Sequence, residues 1–262
     1  MATEAKRSSF EGNKVESFQL YLQHSGEHEY VLQFLMKYLP AEFKRIGADK
    51  SGLAVLGVGS GGGEVDVQML SLMRSTFSTL PISADIVEGS TELVAKFKGL
   101  VTKTDNLRKI PFTWDMMPSE EYMQKTKGRG DVKTFDFIHM IQMLYYVDDL
   151  TKTIKFYHSL LKNNGMLMII IESDVLASLK SLGLKYEERF IPYSYDVTEC
   201  FDPNSKTGQH LISFMTGREN FYQSFTPQVR ADILNLLRSK CSTEKEGKVF
   251  FNSEMSCVFV YT

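Results

Sequence analysis

The segment LAVLGVGSGGG, Leu53 to Gly63, constrains this chain more than any other. A short apolar run without alternation reads as a strand buried on both faces. The glycines at 57, 59, 61, 62 and 63 let the backbone turn sharply and approach closely whatever lies over it. EVDVQML continues with a helical pattern, so strand, glycine turn and helix open a βαβ unit. Such a unit requires a parallel sheet with helices on both faces.

The alternation continues downstream. Ser83 to Val87 reads as a second strand, TELVAKFKGLV as a helix, and Ile110 to Trp114 as a third strand. PSEEYMQKTKGRGD reads as a loop with a short helix, and FDFIHMI as a buried fourth strand. Leu150 to Leu161 follows as a helix, and Met166 to Ile171 as a fifth strand after an Asn163-Asn164-Gly165 turn. Phe10 to Tyr38 has apolar residues at helical spacing. Toward the end, Lys185 to Tyr195 and Val249 to Tyr261 read as strands flanking a helical stretch from His210 to Leu237. Two late strands break the rhythm and predict an antiparallel edge. The expectation is a single α/β domain over 1–262, doubly wound and mostly parallel. Residues 1–48 form a helical cover, 49–172 the ligand-binding core, and 173–262 a substrate and antiparallel edge region.

Composition narrows the function. With 30 Lys and Arg against 32 Asp and Glu, the net charge of −2 gives no attraction to a nucleic-acid backbone or an acidic membrane surface. No apolar run reaches the roughly 20 residues of a membrane span. The first residues, MATEAKRSSFEGNK, lack the apolar stretch of a secretory signal, which favours the cytoplasm. Cys200, Cys241 and Cys257 are odd in number and have no CxxC spacing, so they read as reduced thiols rather than a metal site.

Gly57, Gly59 and Gly62 spell GxGxxG between a strand and a helix, where a nucleotide-like ligand can sit on the turn. A nucleoside triphosphate would want GK[ST] where this loop ends in Gly63-Glu64-Val65-Asp66. A dinucleotide would place its pyrophosphate beside Glu64 and Asp66, a repulsive arrangement. S-adenosylmethionine carries no phosphate and has a cationic sulfonium, so acids there are no penalty. Glu88 ends the second strand, where a carboxylate accepts hydrogen bonds from ribose hydroxyls.

VESFQLYLQHSGEHEY, FDFIHMIQMLYYVDDL, GLKYE and EGKVFFNSEMS together resemble the histamine N-methyltransferase family over nearly the whole chain. That family belongs to the class I, seven-stranded, S-adenosylmethionine-dependent methyltransferases, with a Rossmann-like sheet and an antiparallel C-terminal strand. The resemblance implies methyl transfer to the tele nitrogen of the imidazole of histamine. It implies cofactor contacts at Gly59, Glu88, Ser119 and Ile141, with Leu93 standing where the family has a glutamine. It also implies that Glu27 holds the polar end of the amine with Gln142 as its amide partner. Phe10, Phe18, Tyr145, Tyr146 and Phe214 supply the aromatic side. Ser253 stands where the family has an asparagine. From Ile171 to Gly183 the chain has only IESDVLASLKSLG, where the family carries a longer segment with two tryptophans.

The residues support part of this on their own. Gln142 is a polar residue at the end of an apolar strand, and ligands of doubly wound sheets bind outside strand carboxyl ends. His139 lies inside the same strand and reads as a core histidine with a hydrogen-bond partner rather than a base. Two functions remain open at this point. One is an active N-methyltransferase for histamine or a similar small amine, acting as a monomer. The other is a catalytically silent fold that keeps the cofactor and serves as a binding or regulatory protein. A NAD-dependent dehydrogenase stands third, because a second mononucleotide half is missing.

Overall fold

The structure is a computed structural model that describes residues 13–128, 132–172 and 175–262. Helices α1 (Asn13–Ser25) and α2 (Glu27–Gly47) come first. The apolar spacing predicts one helical stretch here, and Gly26 at φ +63° breaks it into two. A left-handed residue cannot continue a right-handed helix, and glycine adopts that conformation without a Cβ clash.

The order then runs β1 (Leu53–Val58), α3 (Glu64–Thr76), β2 (Ile82–Val87), α4 (Thr91–Lys103) and β3 (Phe112–Asp115). It continues through α5 (Ser119–Lys127), β4 (Phe135–Ile141), α6 (Leu150–Ser159), β5 (Leu161–Ile171), α7 (Leu176–Ser181) and β6 (Lys185–Asp196). The chain closes with α8 (Lys206–Thr216), α9 (Phe221–Ser224), α10 (Pro227–Lys240), β7 (Ser242–Lys245) and β8 (Lys248–Tyr261). Where one late helical stretch is expected there are three helices. Gly217 at φ +63° ends α8, and Thr226 caps α10 with Pro227 as its first residue.

The described chain divides into two compact units. The first contains Val31–Ile191 and Met255–Thr262. Its strands lie in the order β3-β2-β1-β4-β5-β8-β6. Strands β1 to β5 pair in parallel, and β8 runs antiparallel to β5, with Met166 opposite Tyr261 and Ile171 opposite Ser256. The two late strands complete this end of the sheet as expected, with β8 inside and β6 at the edge. The side chains explain it. Cys257 to Val260 are buried in succession, as a strand covered on both faces requires, whereas Lys185, Glu187, Glu188 and Arg189 suit an edge that must resist further pairing.

Strand β5 starts earlier than the apolar run suggests. Leu161 pairs with Phe135 and Met166 with Phe137, so the Asn163-Asn164-Gly165 turn becomes an irregularity within the strand, with Asn164 at φ +65°. The core of this unit packs Leu56, Phe135, Ile138, Met140, Ile154, Tyr157, Leu167, Ile169, Val258 and Val260 together. Each such side chain contributes about 1.5–3 kcal/mol by burial.

The second unit contains Pro192–Glu254 and the described part of α1 through Tyr30. Its hairpin joins β7 to the first half of β8, and β7 is an eighth strand beyond the seven expected. Lys245 lies opposite Lys248, and Glu246 and Gly247 turn between them at φ +53° and +76°. Among the described residues no helix is long and apolar enough to cross a membrane.

Candidate active site

The glycine loop joins β1 to α3, and its glycines are needed for different reasons. At Gly59, with φ +64°, an added Cβ would lie 2.5 Å from the Cβ of Met143. At Gly63, with φ +78°, it would enter the ring of Phe97. Gly61, at φ +56°, has no atom within 4 Å of that position, so the loop presents an open face there. Its amide donates to Glu88 Oε2 at 2.8 Å, and Gly59 N–H donates to Val87 O at 2.8 Å. The loop is thereby held to the end of β2.

Glu88 is buried, and its other oxygen accepts from Ser90 N–H at 2.9 Å. A carboxylate at this strand end thus braces both the loop and the entry to α4, and retains acceptor capacity for hydroxyls. Ser90 caps α4 by accepting from Leu93 N–H at 3.3 Å. Leu93 itself is buried in apolar packing, so the residue offers the cofactor side no polar group. Ser119 opens α5, where its hydroxyl meets Tyr157 Oη at 3.0 Å; burial raises the Tyr157 phenol well above its ordinary range. Ile141 is the last residue of β4 and is half-buried.

Gln142 follows at φ +52°, a left-handed backbone rare for a residue with a Cβ. Its N–H donates to Ile170 O at 2.8 Å, and its Oε1 accepts from Tyr145 Oη at 3.0 Å. The same Tyr145 oxygen accepts from Glu172 N–H at 2.7 Å. One phenol therefore ties the amide beyond β4 to the backbone beyond β5. Tyr146 stands edge-on to Tyr145, ring centres 6.4 Å apart, and both rings are exposed. Backbone strain of this kind at a strand end is a mark of functional sites.

In the second unit Glu27 begins α2 and is only 4% exposed. Its N–H donates to Ser25 Oγ at 3.2 Å, and its Oε2 accepts from Tyr21 Oη at 2.9 Å. Tyr21 Oη also lies 3.2 Å from Tyr193 Oη. The Tyr21 ring stacks on Phe214 at 4.4 Å and meets Tyr195 edge-on at 5.9 Å, while Phe18 lies 6.0 Å from Phe214. Burial, and then the Glu27 charge, raise the Tyr21 phenol far above its ordinary range, so it stays a donor. Ser253 is half-buried on β8; its neighbour Asn252, on the opposite face by strand alternation, donates to Thr243 Oγ1 at 2.7 Å. Phe10 lies outside the described residues.

Sequence reasoning passed over three partners in these clusters. Tyr193 and Tyr195 lie two apart on β6 with rings stacked at 6.0 Å, a spacing that could have revealed a shared face. Asp66 was read only as a charge at the start of a helix. It is buried, and its Oδ1 accepts from Ser60 Oγ at 2.8 Å and faces His139 Nε2 at 3.2 Å. Among the described residues no cluster of His, Cys, Asp and Glu could hold a metal ion.

A methyltransferase domain model matches residues 28–224. Histamine N-methyltransferase of Bos taurus is 36% identical over 275 aligned positions that cover 94% of each chain. The chain belongs to the histamine N-methyltransferase family. Carnosine N-methyltransferase 2 of Gallus gallus is equally similar, 36% identical over 93% of this chain and 85% of its own. The plantazolicin methyltransferase, solved with S-adenosylhomocysteine, shares the fold at a TM-score of 0.51 and 13% identity, covering 98% of this chain and 94% of its own. The protein is a class I methyltransferase that binds S-adenosylmethionine. Its residues fit that cofactor: Glu88 holds the amide of Gly61, whose Cβ position is open, and Glu64, paired with Lys96, lies against Gly62, so the loop carries acids that tolerate a sulfonium. The 275 aligned positions exceed the 262 residues of this chain, so the bovine relative carries residues that are missing here. Between β5 and β6 the described structure has only the six-residue helix α7.

Proposed function

We propose that the protein transfers the methyl group of S-adenosylmethionine to the tele nitrogen of the imidazole of histamine. The observation that carries this reading is the buried Glu27 carboxylate, bonded to Tyr21, whose ring stacks on Phe214 and whose hydroxyl lies 3.2 Å from that of Tyr193. A carboxylate withdrawn from water among aromatic faces suits an ammonium group, through a charge-assisted hydrogen bond and cation–π attraction. Glu27 then orients and neutralises the amine rather than acting as a nucleophile.

When bound, S-adenosylmethionine supplies an electrophilic methyl on a cationic sulfonium. The protein's part is to present a neutral imidazole nitrogen in line and to exclude water, with little proton transfer. We assign Gln142 and Ser253 to the polar contacts with the substrate, and Phe10, Phe18, Tyr145, Tyr146 and Phe214 to its aromatic enclosure. Gly59, Glu88, Ser119 and Ile141 are assigned to the cofactor side, with Leu93 contributing packing alone. We further propose a monomer acting in the cytoplasm, without nucleic-acid or membrane partners.

Two observations favour a second reading, a weakened or silent enzyme that keeps the cofactor: the short β5–β6 connection and the apolar Leu93. The similarity to a carnosine N-methyltransferase makes carnosine the first competing acceptor to test. Calorimetric titration of histamine, carnosine and serotonin into the protein saturated with S-adenosylhomocysteine separates these readings. Tightest binding of histamine supports the proposal; tightest binding of carnosine transfers the assignment; binding of none supports the silent fold.

A further inference from the structure

Gly57 is the first glycine of the loop motif, yet no ligand is needed to explain it. A Cβ there would strike Ser60 Oγ and would lie 2.9 Å from both Asp66 Oδ1 and His139 Cε1. Three polar side chains from three elements, the loop, α3 and β4, converge on the space that this glycine leaves. Asp66 is their centre. Its single oxygen Oδ1 receives Ser60 Oγ–H at 2.8 Å and lies 3.2 Å from His139 Nε2.

The three contacts form a chain through the interior. Ser60 lies between Gly59, which packs on Met143, and Gly61, whose amide reaches Glu88. His139 lies on β4, three residues before Gln142. Asp66 and His139 are both nearly inaccessible to water, at 3% and 2% exposure. A buried carboxylate is retained against its desolvation cost only where its partners use it. Glu64 and Glu88 both oppose its charge from nearby, so simple charge balance does not account for an acid here.

We propose that Asp66 is a positioning residue for the cofactor: by gripping Ser60 from below and bracing on His139, it sets the loop conformation that receives S-adenosylmethionine. Gly61 is pinned by Glu88 and Ser60 by Asp66. The loop is thus fixed at two adjacent residues before any ligand arrives, and the cofactor meets a preorganised backbone.

The test is calorimetric affinity for S-adenosylhomocysteine in wild type, Ser60→Ala, Asp66→Asn and Asp66→Leu, with thermal unfolding alongside. Ser60→Ala removes only the loop's handle and leaves the buried pair intact, so it keeps the fold available if Asp66→Leu does not fold. It is expected to weaken binding about fivefold with Tm nearly unchanged, and to raise the KM for the cofactor while kcat stays near the wild-type value. Asp66→Leu is expected to weaken binding at least tenfold, and Asp66→Asn, which keeps an acceptor oxygen, to recover most of it. Because Asp66 acts on the loop through Ser60, the effects of Ser60→Ala and Asp66→Leu should overlap rather than add. Wild-type affinity in Ser60→Ala, or equal losses in Asp66→Asn and Asp66→Leu, overturns the proposal and leaves Asp66 a structural residue only.

Discussion

Tyr21 donates its phenolic hydrogen to Glu27 Oε2 at 2.9 Å, six residues along the chain and across the break at Gly26. The turn at Gly26 brings the end of one helix and the start of the next into this contact. A carboxylate buried there without that donor would be costly, because each lost hydrogen bond to a buried charge costs about 1.5–3 kcal/mol. Tyr21→Phe is therefore expected to lower stability by about 1–2 kcal/mol in urea unfolding. The nearby Tyr193 hydroxyl remains to offset part of the loss.

Glu27→Gln keeps the shape of the side chain and removes its charge. If Glu27 holds an ammonium group, the KM for histamine rises at least tenfold while the KM for S-adenosylmethionine changes little. Equal changes in both constants would remove Glu27 from the substrate side.

Glu88 accepts from Gly61 and Ser90 at once, so Glu88→Ala removes two partners of backbone amides together with a carboxylate at the cofactor site. Calorimetry should show S-adenosylmethionine binding weakened more than tenfold. Glu88→Gln, which retains one acceptor oxygen, should fall between the two. An unchanged affinity in Glu88→Ala would count against its place at the ribose.

Gly59 and Gly61 both have positive φ, yet their surroundings differ. Alanine in a left-handed conformation costs about 1–2 kcal/mol at either site. At Gly59 the new methyl also meets Met143, which adds about 1–3 kcal/mol of overpacking. Gly59→Ala should therefore be the more destabilising of the two in denaturant unfolding, and Gly61→Ala should fold and lose cofactor affinity by intruding on the open face.

The Asp66–His139 pair makes opposite pH contributions. Burial, with added repulsion from Glu64 and Glu88 and relief from the Ser60 hydrogen bond, pushes the Asp66 carboxyl up to about 7. Burial holds His139 down at about 3. Asp66 thus adds stability below its ordinary value of 3.8 that is lost as pH rises toward 7. His139 adds stability above its ordinary 6.5 that is lost as pH falls toward 3. Between those ordinary values the two slopes cancel in the wild type. His139→Gln should lose stability from pH 4 to 7 relative to wild type, and Asp66→Asn should lose it from pH 6.5 to 4, both read by urea unfolding across that range.

Much of the fold was legible because its strands are unpatterned apolar runs: LAVLGV and FDFIHMI can only be buried on both faces. The β7–β8 hairpin was not, since STEKEGKV is polar and only the Glu246-Gly247 pair marks its turn. The position of β8 inside the sheet was written in the unbroken burial of Cys257 to Val260, but an apolar run alone does not name its neighbours. At the site, Glu88 and Gln142 stood out as polar residues at strand ends. Asp66 did not, because a charge in a first helical turn is ordinary until its long-range partners are seen. Tyr21 was read for the apolar ring that places it on a helix face, and its hydroxyl gave no signal in sequence.

The account turns on methyl transfer to histamine. The most direct measurement supplies the purified chain with labelled S-adenosylmethionine and histamine, with carnosine and serotonin as parallel acceptors, and identifies the methylated nitrogen by mass spectrometry and NMR. The account expects label on the tele nitrogen of histamine, with a kcat/KM well above that for carnosine or serotonin. No transfer to histamine by protein that binds S-adenosylhomocysteine would contradict it.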